Sequence, residues 1–151
     1  MQHSSWARRL GALALVWLLI AAMAACSRTP PEQAVREQLE ALQSAIDARD
    51  AGAVQDLLAE DFVGNRGIDR RGARQLALAV FLQHRDVGAR LGPVTVDVRS
   101  ESEATAKFSV LATGGNGGLL PTNGQVFDLE TSWRLVDGKW RLLNARWTPE
   151  F

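Results

Sequence analysis

The sequence contains no tyrosine, one cysteine and two histidines among its 151 residues. A single cysteine cannot form a disulfide within the chain, so packing alone must hold the fold together. His3 lies in the N-terminal segment, which leaves His84 and Cys26, too few soft ligands for a usual metal site, and we expect no metal or cofactor. The formal net charge is zero, so we expect no nucleic-acid partner. Without tyrosine, no phenolic hydroxyl can polarise a carbonyl or an enolate.

The N-terminal segment has the composition of a targeting signal. A pair of arginines precedes an apolar run at 10–22, which ends in Met-Ala-Ala-Cys at 23–26. This order is typical of a secretory signal. The run is shorter than the roughly 20 apolar residues that a membrane-spanning helix needs. Small residues before Cys26 resemble the lipobox of bacterial lipoproteins, in which cleavage before the cysteine leaves a lipid on its sulfur.

This resemblance implies a lipoprotein signal peptide at 1–25, a short tether at 26–31 and a domain at 32–151. Fatty acyl chains such as palmitate on Cys26 would anchor the domain to a membrane. Ser27 follows the cysteine, and in the sorting pattern that this resembles, a residue other than aspartate there favours the outer membrane. We therefore expect a cell-envelope protein that faces the periplasm. An ordinary secretory signal with an incidental cysteine is the alternative.

The segment 125–147 predicts two long strands joined by a tight turn. Asp137-Gly138 is the dipeptide that a type I′ hairpin turn favours, because both central residues need a positive φ. Such a turn fixes the register and places Trp133 opposite Leu142 and Thr131 opposite Asn144. Alternation then predicts one inward face, made of Phe127, Leu129, Thr131, Trp133, Leu135, Trp140, Leu142, Asn144 and Arg146. Polar groups at the far end of an otherwise apolar face indicate an internal cavity.

Three helices and two further strands precede this hairpin. Apolar residues at helical spacing predict helices at 31–49, from Asp50 onward, and at about 70–85, with Asp50 and Asp69 as N-caps and Thr29 as the cap of the first. Alternation predicts strands at 94–99 and 104–112. We expect an α+β domain in which three N-terminal helices pack on a strongly curved antiparallel sheet of about four strands.

Two segments resemble the nuclear transport factor 2-like superfamily. They are Leu-Leu-Ala-Glu-Asp-Phe-Val-Gly at 57–64, which follows an amphipathic helix, and the closing hairpin at 132–147. The resemblance spans about residues 32 to 149 and implies a cone-shaped domain with an internal pocket. Members of that family include ketosteroid isomerase, scytalone dehydratase, limonene epoxide hydrolase and polyketide cyclases, besides members with no reaction, and they often dimerise. The missing tyrosine argues against the first two of these chemistries.

The predicted pocket combines polar and aromatic side chains. A guanidinium and an amide suit a carboxylate or phosphate ligand, which makes Asn144 and Arg146 candidate ligand-binding residues, with Thr131, Trp133, Phe81 and Phe62 around them. Alternatively, Arg146 forms a structural ion pair with Asp61 or Asp69. We expect a lipid-anchored domain that binds a small amphipathic molecule or a partner protein without catalysis.

An enzymatic function is the second hypothesis. A lyase or hydrolase would use Asp61 or His84 as acid or base, together with Arg146. A third expectation concerns assembly. Val126, Leu143 and Trp147 are predicted to share an apolar patch on the outer face of the hairpin, which would suit a homodimer.

Overall fold

The computed structural model describes residues 28–115 and 123–150, in which three α-helices pack on a six-stranded sheet. The helices are α1 (Pro31–Asp47), α2 (Ala51–Asp56) and α3 (Arg70–Gln83), and a 3₁₀ turn covers Asn65–Gly67. The strands are β1 (Leu58–Val63), β2 (Asp86–Leu91), β3 (Thr95–Val98), β4 (Glu103–Gly115), β5 (Asn123–Val136) and β6 (Lys139–Pro149). The α+β class predicted from the sequence is confirmed.

The β5–β6 hairpin turns at Asp137-Gly138, as predicted. Both residues have a positive φ, 49° at Asp137 and 76° at Gly138, which a type I′ turn requires. Next to the turn the register is also as predicted, with Leu135 opposite Trp140 and Trp133 opposite Leu142. Trp133, Trp140 and Leu142 are all buried. This half of the hairpin therefore presents the expected apolar face to the helices.

Beyond Trp133 the predicted register is wrong, because β6 contains a bulge. The pairing shifts by one residue at Leu143, so Ser132 faces Asn144 and Thr131 faces Ala145. An extra residue in one strand reverses the side on which every later side chain lies. Ala145 is accordingly buried, whereas Arg146 is exposed.

The sheet has more strands than predicted, and it is mixed rather than antiparallel. Its order is β1-β6-β5-β4-β2, and β3 also pairs with β4. β1 runs parallel to β6, and no strand was predicted at these residues. β2 pairs with the 110–115 part of β4 and β3 with the 104–107 part. One long strand thus carries two short edge strands in succession.

Side-chain caps define the helix starts at two of the three predicted sites. The Asp50 carboxylate accepts a hydrogen bond from the Ala53 amide at 2.9 Å, and that of Asp69 accepts one from the Gly72 amide at 2.7 Å. Such caps satisfy amide groups that have no partner within the helix. The predicted Thr29 cap is wrong, since α1 has Pro30 in the capping position and no side-chain cap there.

The packed core fills the half of the domain near the β5–β6 turn. Val35 of α1 is fully buried there, and Trp133 and Trp140 belong to the same buried cluster. In the half away from the turn, the helices and the sheet enclose the cavity described below. Within residues 28–115 and 123–150, no helix is both long and apolar enough to cross a bilayer.

Candidate functional site

A cavity of about 1070 Å³ lies between the three helices and the inner face of the sheet. Its walls are mainly apolar, with Leu39 and Ile46 from α1, Phe81 from α3 and Phe108 from β4. Leu76 of α3 also lines it and is 47% exposed, which places this residue at the mouth. Concave, mostly apolar cavities of this size are typical of small-molecule sites.

The polar groups of the cavity come mainly from one end of it. Gln43, His84, Thr113 and Gln125 all contribute to the lining. Gln125 pairs with Ala112 across the sheet, next to Thr113. The His84 ring packs so closely on the neighbouring backbone that a Cβ atom on Gly114 would lie 3.3 Å from it. The end of the cavity away from the hairpin turn is therefore the polar end.

The hydroxyl of Thr131 is already engaged by the protein. Thr131 is 1% exposed and lines the cavity. Its hydroxyl donates to the Ala106 carbonyl at 3.1 Å and accepts from the Trp133 indole N–H at 3.0 Å. A buried polar group with both partners supplied needs no ligand. Thr131 thus forms part of the wall.

The aromatic residues predicted for the pocket divide into two groups. Phe62 and Phe81 line the cavity. Trp133 is 1% exposed and belongs to the packed core instead of the cavity wall. Its indole N–H is directed at Thr131, so it supports the wall from behind.

Asn144 and Arg146 lie outside the cavity because of the bulge in β6. The Asn144 amide donates to the Val63 carbonyl at 2.7 Å and so joins β6 to β1. Arg146 is exposed and stands opposite Glu130 on the outer face of the sheet. Neither residue reaches the cavity, so their predicted position inside it is wrong.

Asp61 is also on the outer face, where it forms an ion pair. Its carboxylate accepts a hydrogen bond from the Arg134 guanidinium at 2.5 Å. This hydrogen bond, together with one from the backbone, lowers the pKa of Asp61. The carboxylate is exposed and held in its charged form. Its partner is Arg134, and Asp69 caps α3. The alternative interpretation, in which Arg146 pairs with Asp61 or Asp69, is therefore wrong.

One carboxylate stands at the rim of the cavity. Glu150 contributes to the lining and is exposed. A hydrogen bond to the Asp128 carboxylate, which Glu150 can donate only when protonated, and charge repulsion from Asp128 raise the pKa of Glu150. Asp128 in turn accepts a hydrogen bond from the Ser109 hydroxyl at 3.0 Å. The acidic pair therefore lies at the edge and away from the apolar interior.

Solved structures of other proteins share this architecture. A putative scytalone dehydratase from Novosphingobium aromaticivorans matches with a TM-score of 0.68 and 17% identity over 80% of this chain and 84% of its own. The hexachlorocyclohexane dehydrochlorinase LinA-type3 from Novosphingobium barchaimii matches with a TM-score of 0.65 and 14% identity, covering 80% and 86%. A putative calcium/calmodulin dependent protein kinase II association domain from Xanthomonas campestris gives 0.67 and 17%, covering 77% and 85%.

The chain has the nuclear transport factor 2-like fold. Neither a protein-family model nor a curated protein sequence matches it. At identities this low, the likeness concerns the fold, and one fold hosts many functions. The nuclear transport factor 2-like neighbours include enzymes as well as proteins of unknown function.

The predicted dimer patch does not form on this nuclear transport factor 2-like sheet as expected. Val126 and Trp147 both contribute to the cavity lining, whereas Leu143 is the bulge residue and lies outside the cavity. The three residues thus do not share one outer face. Dimerisation itself stays a prediction.

Trp147 and Gln125 are among the cavity-wall residues that sequence reasoning missed. Trp147 enters the cavity only because of the bulge, and no residue pattern in β6 predicts that bulge. Gln125 could have been found, because the inward alternation of Leu129 and Phe127 continues to it.

Two further predictions concern metal binding and lipidation. Among residues 28–115 and 123–150, no group of His, Cys, Asp and Glu side chains is arranged to hold a metal ion. Cys26, the predicted lipidation site, and the signal peptide at 1–25 lie outside the described residues.

Proposed function

We propose that this domain binds a small amphipathic molecule in its cavity and does not catalyse a reaction. The main support is the cavity of about 1070 Å³, which has apolar walls and polar groups gathered at one end. The apolar body of a ligand would lie against Phe62 and Phe108. Its polar group would lie near His84, Thr113 and Gln125. In this orientation the polar group of the ligand can form hydrogen bonds with the polar side chains that it removes from water, so no buried polar group is left without a partner.

The distribution of acidic groups supports binding over catalysis. Of the two predicted acid–base residues, Asp61 lies on the outer face in an ion pair with Arg134, and only His84 lines the cavity. The one carboxylate in the described lining, Glu150, is at the rim. The described lining contains no arginine and no buried carboxylate, so the imidazole lacks partners inside the cavity that the proposed lyase or hydrolase would need.

Replacing either of two α3 alanines by phenylalanine tests ligand binding. Ala77 lines the cavity, whereas Ala79, two residues later, is exposed on the opposite side of the same helix. Ala77→Phe should fill cavity volume and weaken binding of the fluorescent apolar probe N-phenyl-1-naphthylamine by at least about tenfold, or about 1.4 kcal/mol. Ala79→Phe should bind like wild type. Both variants keep the same N-terminal segment, so its nonspecific binding cancels.

Equal affinity in wild type and Ala77→Phe would contradict the proposal, provided that urea unfolding shows the variant to be folded. The enzymatic alternative would be favoured if wild type turns over a substrate and His84→Gln does not. The His84→Gln variant must still bind the probe for this comparison to hold.

We also propose that Cys26 carries a lipid that anchors the domain in the bacterial envelope. The support is the lipobox-like Met-Ala-Ala-Cys at 23–26 after an apolar run. The intact mass of the protein from a bacterial membrane fraction should show acyl chains and the loss of residues 1–25. Cys26→Ala should remain unprocessed and unlipidated. Wild-type protein without acyl chains would refute the anchor.

A further inference from the structure

The outward side of α3 carries an unusual stripe of side chains. Arg71, Arg74, Leu78 and Leu82 follow one another at intervals of three, four and four residues, which places them along one line of a helix. Arg85 follows just after the end of α3. We call these five residues the α3 outer face. All five are exposed, and Leu82 reaches 85%. Cavity-lining residues such as Ala73 and Val80 occupy the opposite side.

The charge of this surface has one sign. The α3 sequence contains no aspartate or glutamate. Among the ion pairs of residues 28–115 and 123–150, Arg70 binds Asp56 and Glu60, but none involves Arg71, Arg74 or Arg85. Two exposed leucines are thus flanked by three arginines that the described part of the chain does not neutralise.

We propose that the α3 outer face docks on an anionic phospholipid surface. Interfacial helices place leucines in the boundary between headgroups and acyl chains, while arginines beside them meet lipid phosphates. A second copy of this chain fits less well, because a symmetric dimer across this face would bring the same three arginines together. The surface would act together with the N-terminal anchor predicted from the sequence.

Docking would also orient the cavity. Leu76 lies at the cavity mouth on the same helix as the α3 outer face. A domain docked through α3 would hold this mouth one helix diameter, or roughly 10–12 Å, from the bilayer surface. The docking proposal does not rest on the identity or existence of a cavity ligand.

Fluorescence quenching by brominated lipids tests the contact. In the full chain with Cys26→Ser, bimane is attached to Leu82→Cys or, as the matched control, to Val136→Cys at the β5–β6 turn, which is also exposed. In vesicles of brominated phosphatidylcholine and phosphatidylglycerol, the Leu82 probe should lose roughly half of its emission, since a docked helix lies about 5–10 Å into the interface. The Val136 probe should keep its emission.

Charge variants separate docking from general attraction. Arg71→Gln with Arg74→Gln should shift the docking equilibrium by about 30-fold and restore the Leu82 emission, because each arginine contributes about one kcal/mol near an anionic surface. Arg99→Gln with Arg146→Gln removes the same charge from exposed sites on the sheet side and should leave the quenching unchanged.

Three results would overturn the proposal. They are equal quenching at the two probe sites, equal quenching with phosphatidylcholine alone, and a Leu82 probe that is already shielded without vesicles. The last result, if it depends on protein concentration, would identify the face as an interface between copies.

Discussion

Two asparagine side chains replace backbone hydrogen bonds where β1 runs beside β6. The Asn65 amide donates to the Trp147 carbonyl at 2.7 Å, and its oxygen accepts from the Trp147 amide at 3.2 Å. Asn144 donates to Val63, as described above. The β1–β6 register is irregular between Leu58 and Val63, so these side chains satisfy backbone groups that a regular ladder would pair.

Asn144 and Arg146 should therefore respond differently to truncation. Asn144→Ala should lower the free energy of unfolding by about 1 kcal/mol, because it removes one hydrogen bond to the backbone. Arg146→Ala should change it by less than about 0.5 kcal/mol, since the side chain is exposed. Urea denaturation measures both. Weaker probe binding in Arg146→Ala would show that the guanidinium serves the cavity after all.

The Asp61–Arg134 pair predicts a specific pH dependence. Arg134 lowers the pKa of Asp61 in the folded state, whereas the unfolded value is about 3.9. A carboxyl with a lowered folded pKa contributes stability above its unfolded pKa, and this contribution is lost as the pH falls through the folded value. Asp61→Asn should thus be less stable than wild type at about pH 6, and the difference should shrink below about pH 4.

Urea unfolding at several pH values checks this expectation. Asp137→Asn is the control, because Asp137 is an exposed turn carboxylate that forms no ion pair with the described residues. Its difference from wild type should not follow the same curve. A stability gap for Asp61→Asn that stays constant down to about pH 3 would count against the assignment.

At the scale of elements, α3 is held in place from its C-terminal end. The guanidinium of Arg49, just after α1, donates to the carbonyls of Phe81 and Arg85. Cations and donors at this end of a helix satisfy carbonyls that have no partner within it. Arg49 itself has a φ of 57°, a conformation that side-chain-bearing residues adopt at a cost.

Arg49→Ala should lower the free energy of unfolding by about 1–2 kcal/mol, because both hydrogen bonds are lost while the backbone strain remains. Arg66→Ala is a matched control. Arg66 has nearly the same φ of 59°, and it is exposed on the 3₁₀ turn. Its truncation should cost less than about 0.5 kcal/mol. Hydrogen exchange of the α3 backbone amides should accelerate in Arg49→Ala. Unchanged exchange would show that Arg49 does not hold α3 in place.

The elements that sequence reasoning predicted well carry strong local signals. Asp137-Gly138, Asp50 and Asp69 all act as expected, because turns and caps depend on a few neighbouring residues. β1 was missed because Glu60 and Asp61 interrupt its apolar residues, and its pairing partner is distant in sequence. The bulge at Leu143 was missed because two successive leucines suit either face of a strand.

At the scale of the whole molecule, the domain consists of a filled half and a hollow half. Trp133 and Trp140 occupy the first half, near the hairpin turn, whereas Trp147 borders the cavity in the second. Sequence patterning predicted that a cavity exists, from polar residues on an inward face. Patterning could not identify the residues of the cavity wall, because the bulge in β6 turns Trp147 into the cavity and Arg146 onto the outer face.

This division predicts unequal responses to losing an indole. Trp140→Ala should lower the free energy of unfolding by about 3–5 kcal/mol, because it leaves a hole in packed surroundings. Trp147→Ala should cost clearly less, because its side chain borders space that is already open. Denaturant unfolding gives both values, and probe titration should show altered affinity only for Trp147→Ala. Equal losses of stability would mean that the hollow half is packed as tightly as the other.

The order of the sheet also has a consequence during synthesis. β1 finds its neighbour in β6, which lies between β1 and β5 and leaves the ribosome long after it. A nascent chain that ends before residue 139 leaves β1 unpaired and the helices without one wall. The final hairpin therefore completes the domain, and we expect no stable fold before β6 has emerged. The export proposed above would benefit from this late folding, because a protein-conducting channel accepts unfolded chains.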